Sequence, residues 1–244
     1  MGRQLSTPTN AVLDALLSRL TTPQGQQYRK ILVYGNPGVG KTTFAAQSPS
    51  PLILDVERGT TSLASNPETS DLASVSVLPY VSLTQVEGLI RELSKKPESL
   101  PYETLVIDSF SELQKRSLDA LLTNLSGSAR YIPDGPKYNE NTNHLRSIAT
   151  RLADLNMHIV VVCHAKEDTT DSGVAYTRPD LTPKLSNSLL GIFDVVAYMT
   201  SRRSKDGQVT RRLIVEPTDN IVAKNRLGLP AQILNPTFTD LGVK

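Results

Sequence analysis

The chain has no tryptophan, one cysteine and few aromatics, 5% of its 244 residues. Each scarcity removes a class of protein. The single cysteine, Cys163, allows no disulfide framework and no cysteine-based metal site within the chain. Its place inside the apolar run HIVVVCH reads as a small buried hydrophobe. No run approaches the roughly 18 apolar residues of a membrane span, and no stretch has the form of a secretory leader, so a cytoplasmic protein with no membrane partner is expected. Charge of one sign is lacking too, with 26 Lys and Arg against 24 Asp and Glu. Any nucleic-acid contact therefore has to come from a local basic patch.

What is present is GNPGVGKT at 35–42, which fits the phosphate-loop spacing GxxxxGK(S/T), with ILVY before it and TFAAQ after it. A polyphosphate needs several backbone amides pointing inward together, and Gly35, Gly38 and Gly40 permit that tight path, with Asn36, Pro37 and Val39 between them. Lys41 is placed to reach the β- and γ-phosphates, Thr42 to offer its hydroxyl to Mg²⁺, and Thr43 completes the first turn of the helix. ATP and Mg²⁺ are the expected ligands.

From residue 29 onward short apolar runs alternate with helical patterns, which predicts an α/β fold with a mostly parallel central sheet flanked by helices. Strands are expected at 31–34, 52–55, 74–78, 104–108, 158–163, 195–199 and 212–215, and helices at 41–48, 83–95, 111–125 and 139–155. Asp206-Gly207 within SRRSKDGQVTRR predicts a C-terminal β-hairpin. Val12, Leu13, Leu16, Leu17 and Leu20 form one face of a helix over 9–20. The expected organisation is an N-terminal helix and linker at 1–28, an ATPase core at 29–235 and a C-terminal tail at 236–244.

Three apolar strands end in groups that can complete an ATPase. TLVID ends in Asp108, a carboxylate suited to the Mg²⁺ hydration shell. LILDVERG ends in Asp55 and Glu57 on one strand face, and Glu57 is the candidate for orienting or deprotonating the attacking water. HIVVVCHAK ends in His164 and Lys166, where a polar group can sense the γ-phosphate. In IVAKNRLGLP, Lys224 and Arg226 stand two apart, so an extended segment presents them together.

With these pieces in this order, residues 29–235 resemble the RecA-like recombinases, most closely the small phage-encoded ATPases grouped with single-strand annealing proteins. The motifs that carry the resemblance are GNPGVGKT, DVERG, LVIDS, VVVCHAK, FDVVAYM and AKNR. It implies that Glu57 is the catalytic glutamate, Asp108 supports the metal, and His164 takes a sensor position commonly held by glutamine. It also implies that Lys224 and Arg226 act in trans, across the subunit interface of a ring or filament. Single-stranded DNA becomes the expected partner, with a single-strand-binding or replication protein as a further one, and the bacterial host cytoplasm the setting if the chain is phage-encoded. DNA-contacting loops are expected at 126–140, with Arg130, Tyr131, Lys137 and Tyr138, and at 165–185, with Lys166, Tyr176, Arg178 and Lys184. The hairpin cations Arg202, Arg203, Lys205, Arg211 and Arg212 form a second basic surface.

The resulting expectation is an ATP-dependent, single-stranded-DNA-binding protein acting in recombination or strand annealing. The rivals are a nucleotide-switched loader for a replication protein and a small-molecule kinase, the latter opposed by the lack of an arginine-rich lid. A GTPase is opposed by the lack of an NKxD motif.

Overall fold

The computed structural model describes residues 28–65, 75–95, 100–123 and 135–243, together with Leu17. Most of the expected N-terminal helix and linker, and residues 126–134 with Arg130 and Tyr131, lie outside them. Five strands form the parallel centre: β1 (Lys30–Gly35), β2 (Pro51–Asp55), β3 (Ser76–Pro79), β4 (Thr104–Asp108) and the first half of β5 (His158–Thr169). The start of β7 (Val195–Arg203) pairs parallel to the other side of β1. Antiparallel strands β8 (Val209–Ile214) and β10 (Gln232–Leu234) extend the sheet outward, in the order β10-β8-β7-β1-β5-β4-β2-β3. The short β9 (Lys224–Asn225) lies antiparallel to the start of β7.

Both faces of the sheet's centre are covered, which is why β1, β2 and β4 are buried throughout and do not alternate. Leu32 and Tyr34 point into one core cluster while Ile31 and Val33 point into another. The first cluster is closed by Val86, Ile90 and Leu93 of α3 (Leu83–Lys95), Phe110 and Leu113 of α4 (Phe110–Thr123), Leu145 and Ile148 of α5 (Gly135–Ala153), and Leu185 and Leu189 of α6 (Pro183–Ile192). The second is closed by Phe44 and Ala45 of α1 (Lys41–Ala46) and by Phe238 and Leu241 of a 3-10 turn, Phe238–Leu241. A short α2 (Thr61–Ser65) follows β2. None of the described helices is long and apolar enough to cross a membrane.

The predicted α/β fold class is present, hairpin included, with Gly207 at φ 83° in the turn. The local differences have physical causes. The stretch 165–185, expected as a flexible loop, continues β5 to Thr169, pairs antiparallel with β6 (Ala175–Pro179) and leads into α6. Much of that hairpin faces solvent, so KEDT and AYTR lack the apolar period of a half-buried strand. Residues 135–140 open α5 and are not loop. The strand expected at 212–215 runs instead over Val209–Ile214, since the hairpin pairing reaches outward as far as Arg203. Phe238, Leu241 and Val243 are buried, so packing continues past the expected core boundary at 235.

Candidate active site

The phosphate loop leaves the carboxyl end of β1, where Gly35 is required by close approach. A Cβ there would lie 2.3 Å from the Met199 carbonyl oxygen of β7. Gly40 closes the loop at φ 102°, a conformation that a side chain strains, and a Cβ would meet Arg211 Nε at 2.7 Å. Lys41 Nζ donates to the carbonyls of Gly35 and Asn36, at 2.9 Å each, and so spans the loop it is to serve. Burial lowers the Lys41 pKa, and the Asp108 and Glu57 carboxylates oppose that shift.

Sheet register brings the other groups to the same edge. His164 pairs with Gly35, and Asp108 lies one strand further, opposite Val162 of β5 and Asp55 of β2. Thr42 Oγ1 donates to Asp108 Oδ2 at 2.6 Å, which ties α1 to the end of β4. The Val56 and Glu57 amides donate to the Asp108 carbonyl at 2.7 and 3.3 Å and draw the chain after β2 across the end of β4. The Glu57 carboxylate then receives the Ser109 hydroxyl and His164 Nε2, the latter at 2.6 Å. These bonds, led by that from His164, hold the Glu57 carboxyl down to about 2. His164 is fixed in turn, its amide donating to Ser111 Oγ at 3.0 Å and its carbonyl accepting from the Asp180 amide at 2.9 Å.

The expected pairing of Asp55 with Glu57 does not hold. Asp55 ends β2 and accepts bonds from the Gly59 amide at 3.1 Å and from Thr60 Oγ1 at 2.5 Å, so it fixes the turn. Glu57 lies beyond the strand, where strand alternation no longer governs it, and its carboxylate has other partners, Ser109 and His164.

The oxygens of Asp108 and Thr42 suit a hard divalent cation. Burial, with Asp108 only 6% exposed, pushes its carboxyl up to about 6, and a cation would relieve that cost. Among the described residues, no group of three His, Cys, Asp or Glu side chains could hold a metal alone, so the remaining coordination falls to phosphate oxygens and water. Bound there, Mg²⁺ supplies charge neutralisation at the γ-phosphate.

The raised pKa carries a stability consequence. Between about pH 4 and 6 the folded chain binds more protons at Asp108 than the unfolded chain does, so stability falls as pH rises and the full penalty is present above about pH 6. Asp108→Asn keeps an acceptor for Thr42 and removes the buried charge. In thermal melts of the nucleotide-free protein at pH 8, the variant is expected to gain roughly 4–8 °C. The gain should disappear near pH 4.

Lys224 and Arg226 are not brought to this chain's own loop. Lys224 Nζ donates to the Leu190 carbonyl and, at 3.3 Å, to that of Gly191, which caps α6. The Arg226 amide donates to the Asp194 carbonyl at 3.0 Å, level with the start of β1, and its side chain is exposed. Five strand residues separate that level from Gly35, roughly 16 Å at the rise of a strand and beyond an arginine's reach. Sequence reasoning passed over Ser109 and Ser111 as functional positions, although a serine directly after a buried strand end was visible in LVIDS. It also left Arg211 among the hairpin cations. Nothing local in the sequence ties residue 211 to Gly40.

Residues 27–227 match the AAA domain family. The chain belongs to that family. As a member, it is a P-loop ATPase, a class that binds nucleotide and usually Mg²⁺. The SPbeta prophage-derived uncharacterized protein YorG of Bacillus subtilis (strain 168) is 23% identical over 187 residues, 73% of this chain and 52% of YorG. This AAA domain chain thus spans about half the length of that curated relative. Among solved structures, the flagellar accessory protein FlaH from Methanocaldococcus jannaschii aligns with a TM-score of 0.41 and 9% identity over 85% of each chain.

Proposed function

We propose that this ATPase binds single-stranded DNA, acts in recombination or strand annealing, and hydrolyses ATP at interfaces between its own copies. The observation that carries the hydrolytic part is Glu57, held by Ser109 and His164 beside Asp108 and the phosphate loop. A carboxylate so placed orients the attacking water, and His164, neighbouring Gly35, lies where it would respond to a γ-phosphate. The exposed Arg226, out of reach of its own loop, supports completion of the site by a neighbour. The recombination role rests on the resemblance to phage single-strand annealing ATPases and agrees with a prophage-derived relative.

The DNA surface we favour is the β7–β8 hairpin. Arg202, Arg203, Lys205 and Arg212 line a groove of about 640 Å³ there. The β5–β6 hairpin fits less well. Arg178 is buried, 2.7 Å from Asp168 and bonded to the carbonyls of Pro179 and Leu181, so it is not offered to a phosphate. Lys137 is paired with Glu140, and Lys184 donates to Asn139.

The test is the ATPase rate with and without single-stranded DNA, together with DNA affinity as a function of salt. Stimulation is expected, and four phosphate contacts predict a log–log slope near −3. Arg202→Ala with Arg203→Ala should reduce the slope's magnitude by roughly 1.4. A rate indifferent to DNA and an affinity indifferent to salt would remove the DNA reading and favour the loader.

A further inference from the structure

The chain after β9 leaves the sheet in a turn. Lys224 and Asn225 pair with the first two residues of β7, and Arg226, Leu227, Gly228 and Leu229 follow. Leu227 and Leu229 are half-buried against the second core cluster, while Arg226 and Gly228, which alternate with them, are exposed. Backbone groups that turn inward here have no strand to pair with, so a side chain has to meet them.

Asn225 does so. Its Oδ1 accepts the Leu227 amide at 3.2 Å and the Leu229 amide at 3.1 Å, and its Nδ2 donates, at 2.8 Å each, to the Leu229 carbonyl and to Glu216 Oε1. Four bonds use the whole capacity of this side chain. Its orientation follows from the partners, because a flipped amide would set donor against donor. Glu216 follows β8, so the turn is tied to the antiparallel edge of the sheet as well as to β7. Arg226 is thereby held on both sides. Its own amide donates to the Asp194 carbonyl at 3.0 Å, and the next amide along the chain is bound by Asn225.

We propose that Asn225 is the positioning residue for Arg226, fixing the direction in which that arginine is presented to a neighbouring copy. This assignment rests on the reading of Arg226 as a cation supplied in trans, and it names a residue that acts only through that arginine. A long side chain that must reach a phosphate on another chain needs a fixed base, since a misplacement of about 1 Å can cost on the order of 10²-fold in rate. Aspartate at 225 could accept both amides. It could not donate to the Leu229 carbonyl or to Glu216.

Steady-state turnover of the full chain, alone and in mixtures of variants, tests the assignment. Asn225→Ala is expected to lower kcat by roughly 10²-fold and to change the KM for ATP by no more than about twofold. Mixed with Glu57→Gln it should regain part of the activity, because its own glutamate and phosphate loop are intact. Mixed with Arg226→Ala it should regain none. A merely structural role would lower the melting temperature without separating the two mixtures. Asn225→Asp, which keeps both accepted bonds, serves if the alanine variant does not fold, and it should lose about tenfold in kcat. Wild-type turnover in whichever variant folds, beside a slow Arg226→Ala, overturns the positioning role and leaves the trans arginine standing. So does a lack of recovery with Glu57→Gln where Arg226→Ala recovers. Wild-type turnover in Arg226→Ala itself removes the trans reading, and this assignment with it.

Discussion

Replacing Glu57 with Gln is expected to slow ATP turnover by about 10³-fold while ATP affinity changes by no more than a few fold, within the range that a positioned acid-base group supplies. The substitution keeps the shape of the side chain and an oxygen for the Ser109 hydroxyl, so the loop after β2 should hold its course over Asp108. What it removes is the negative charge that His164 engages at 2.6 Å. With its carboxyl held near 2, Glu57 is a weak proton acceptor in the arrangement described. In the proposed function its main service would be to orient water, and it would become a stronger base only as Ser109 and His164 let go. Single-turnover hydrolysis and equilibrium ATP binding separate the two effects. A Glu57→Gln protein with wild-type turnover would remove the glutamate from the chemistry.

Arg226→Ala is expected to lower turnover by about 10³-fold, the lower end of what a cation supplied in trans contributes. ATP affinity should change little, because this arginine lies far from its own phosphate loop. Mixing Arg226→Ala with Glu57→Gln subunits should restore part of the activity, since some interfaces then combine an intact glutamate with an intact arginine. No recovery on mixing would sink the shared site. Lys224→Ala is a useful contrast. Its ammonium caps the end of α6 by donating to the Leu190 and Gly191 carbonyls, so the variant should lose about 1 kcal/mol of stability. The two cations read as a pair in the sequence. In the fold one holds the scaffold and one faces outward.

The parts of the site visible in the sequence were those written locally. GNPGVGKT carries its own geometry, and LVID announces a buried strand with a carboxylate at its end. Parallel pairing then fixes Asp108, His164 and Gly35 at one edge, because strands of matching register end together. The remainder depends on contacts between distant segments. Ser109 becomes a partner of Glu57 only when the chain after β2 crosses the end of β4, and Arg211 meets Gly40 only after the hairpin returns along β7. The β5–β6 hairpin escaped notice because solvent-facing strands leave no apolar rhythm to read. Phe238 and Leu241 lie in a short 3-10 turn, too brief for a helical period, yet they complete the core beneath α1.

The position of β1 also bears on how the molecule is made. Its two sheet neighbours, β5 and β7, come much later in the chain, and the bonded residues Lys30 and Asp194 are 164 positions apart. A ribosome therefore releases the phosphate loop well before any strand that will support it, by on the order of ten seconds at bacterial translation rates. The bed that steadies the phosphate loop is therefore assembled only when β5 and β7 have joined β1, late in the order in which these strands are made.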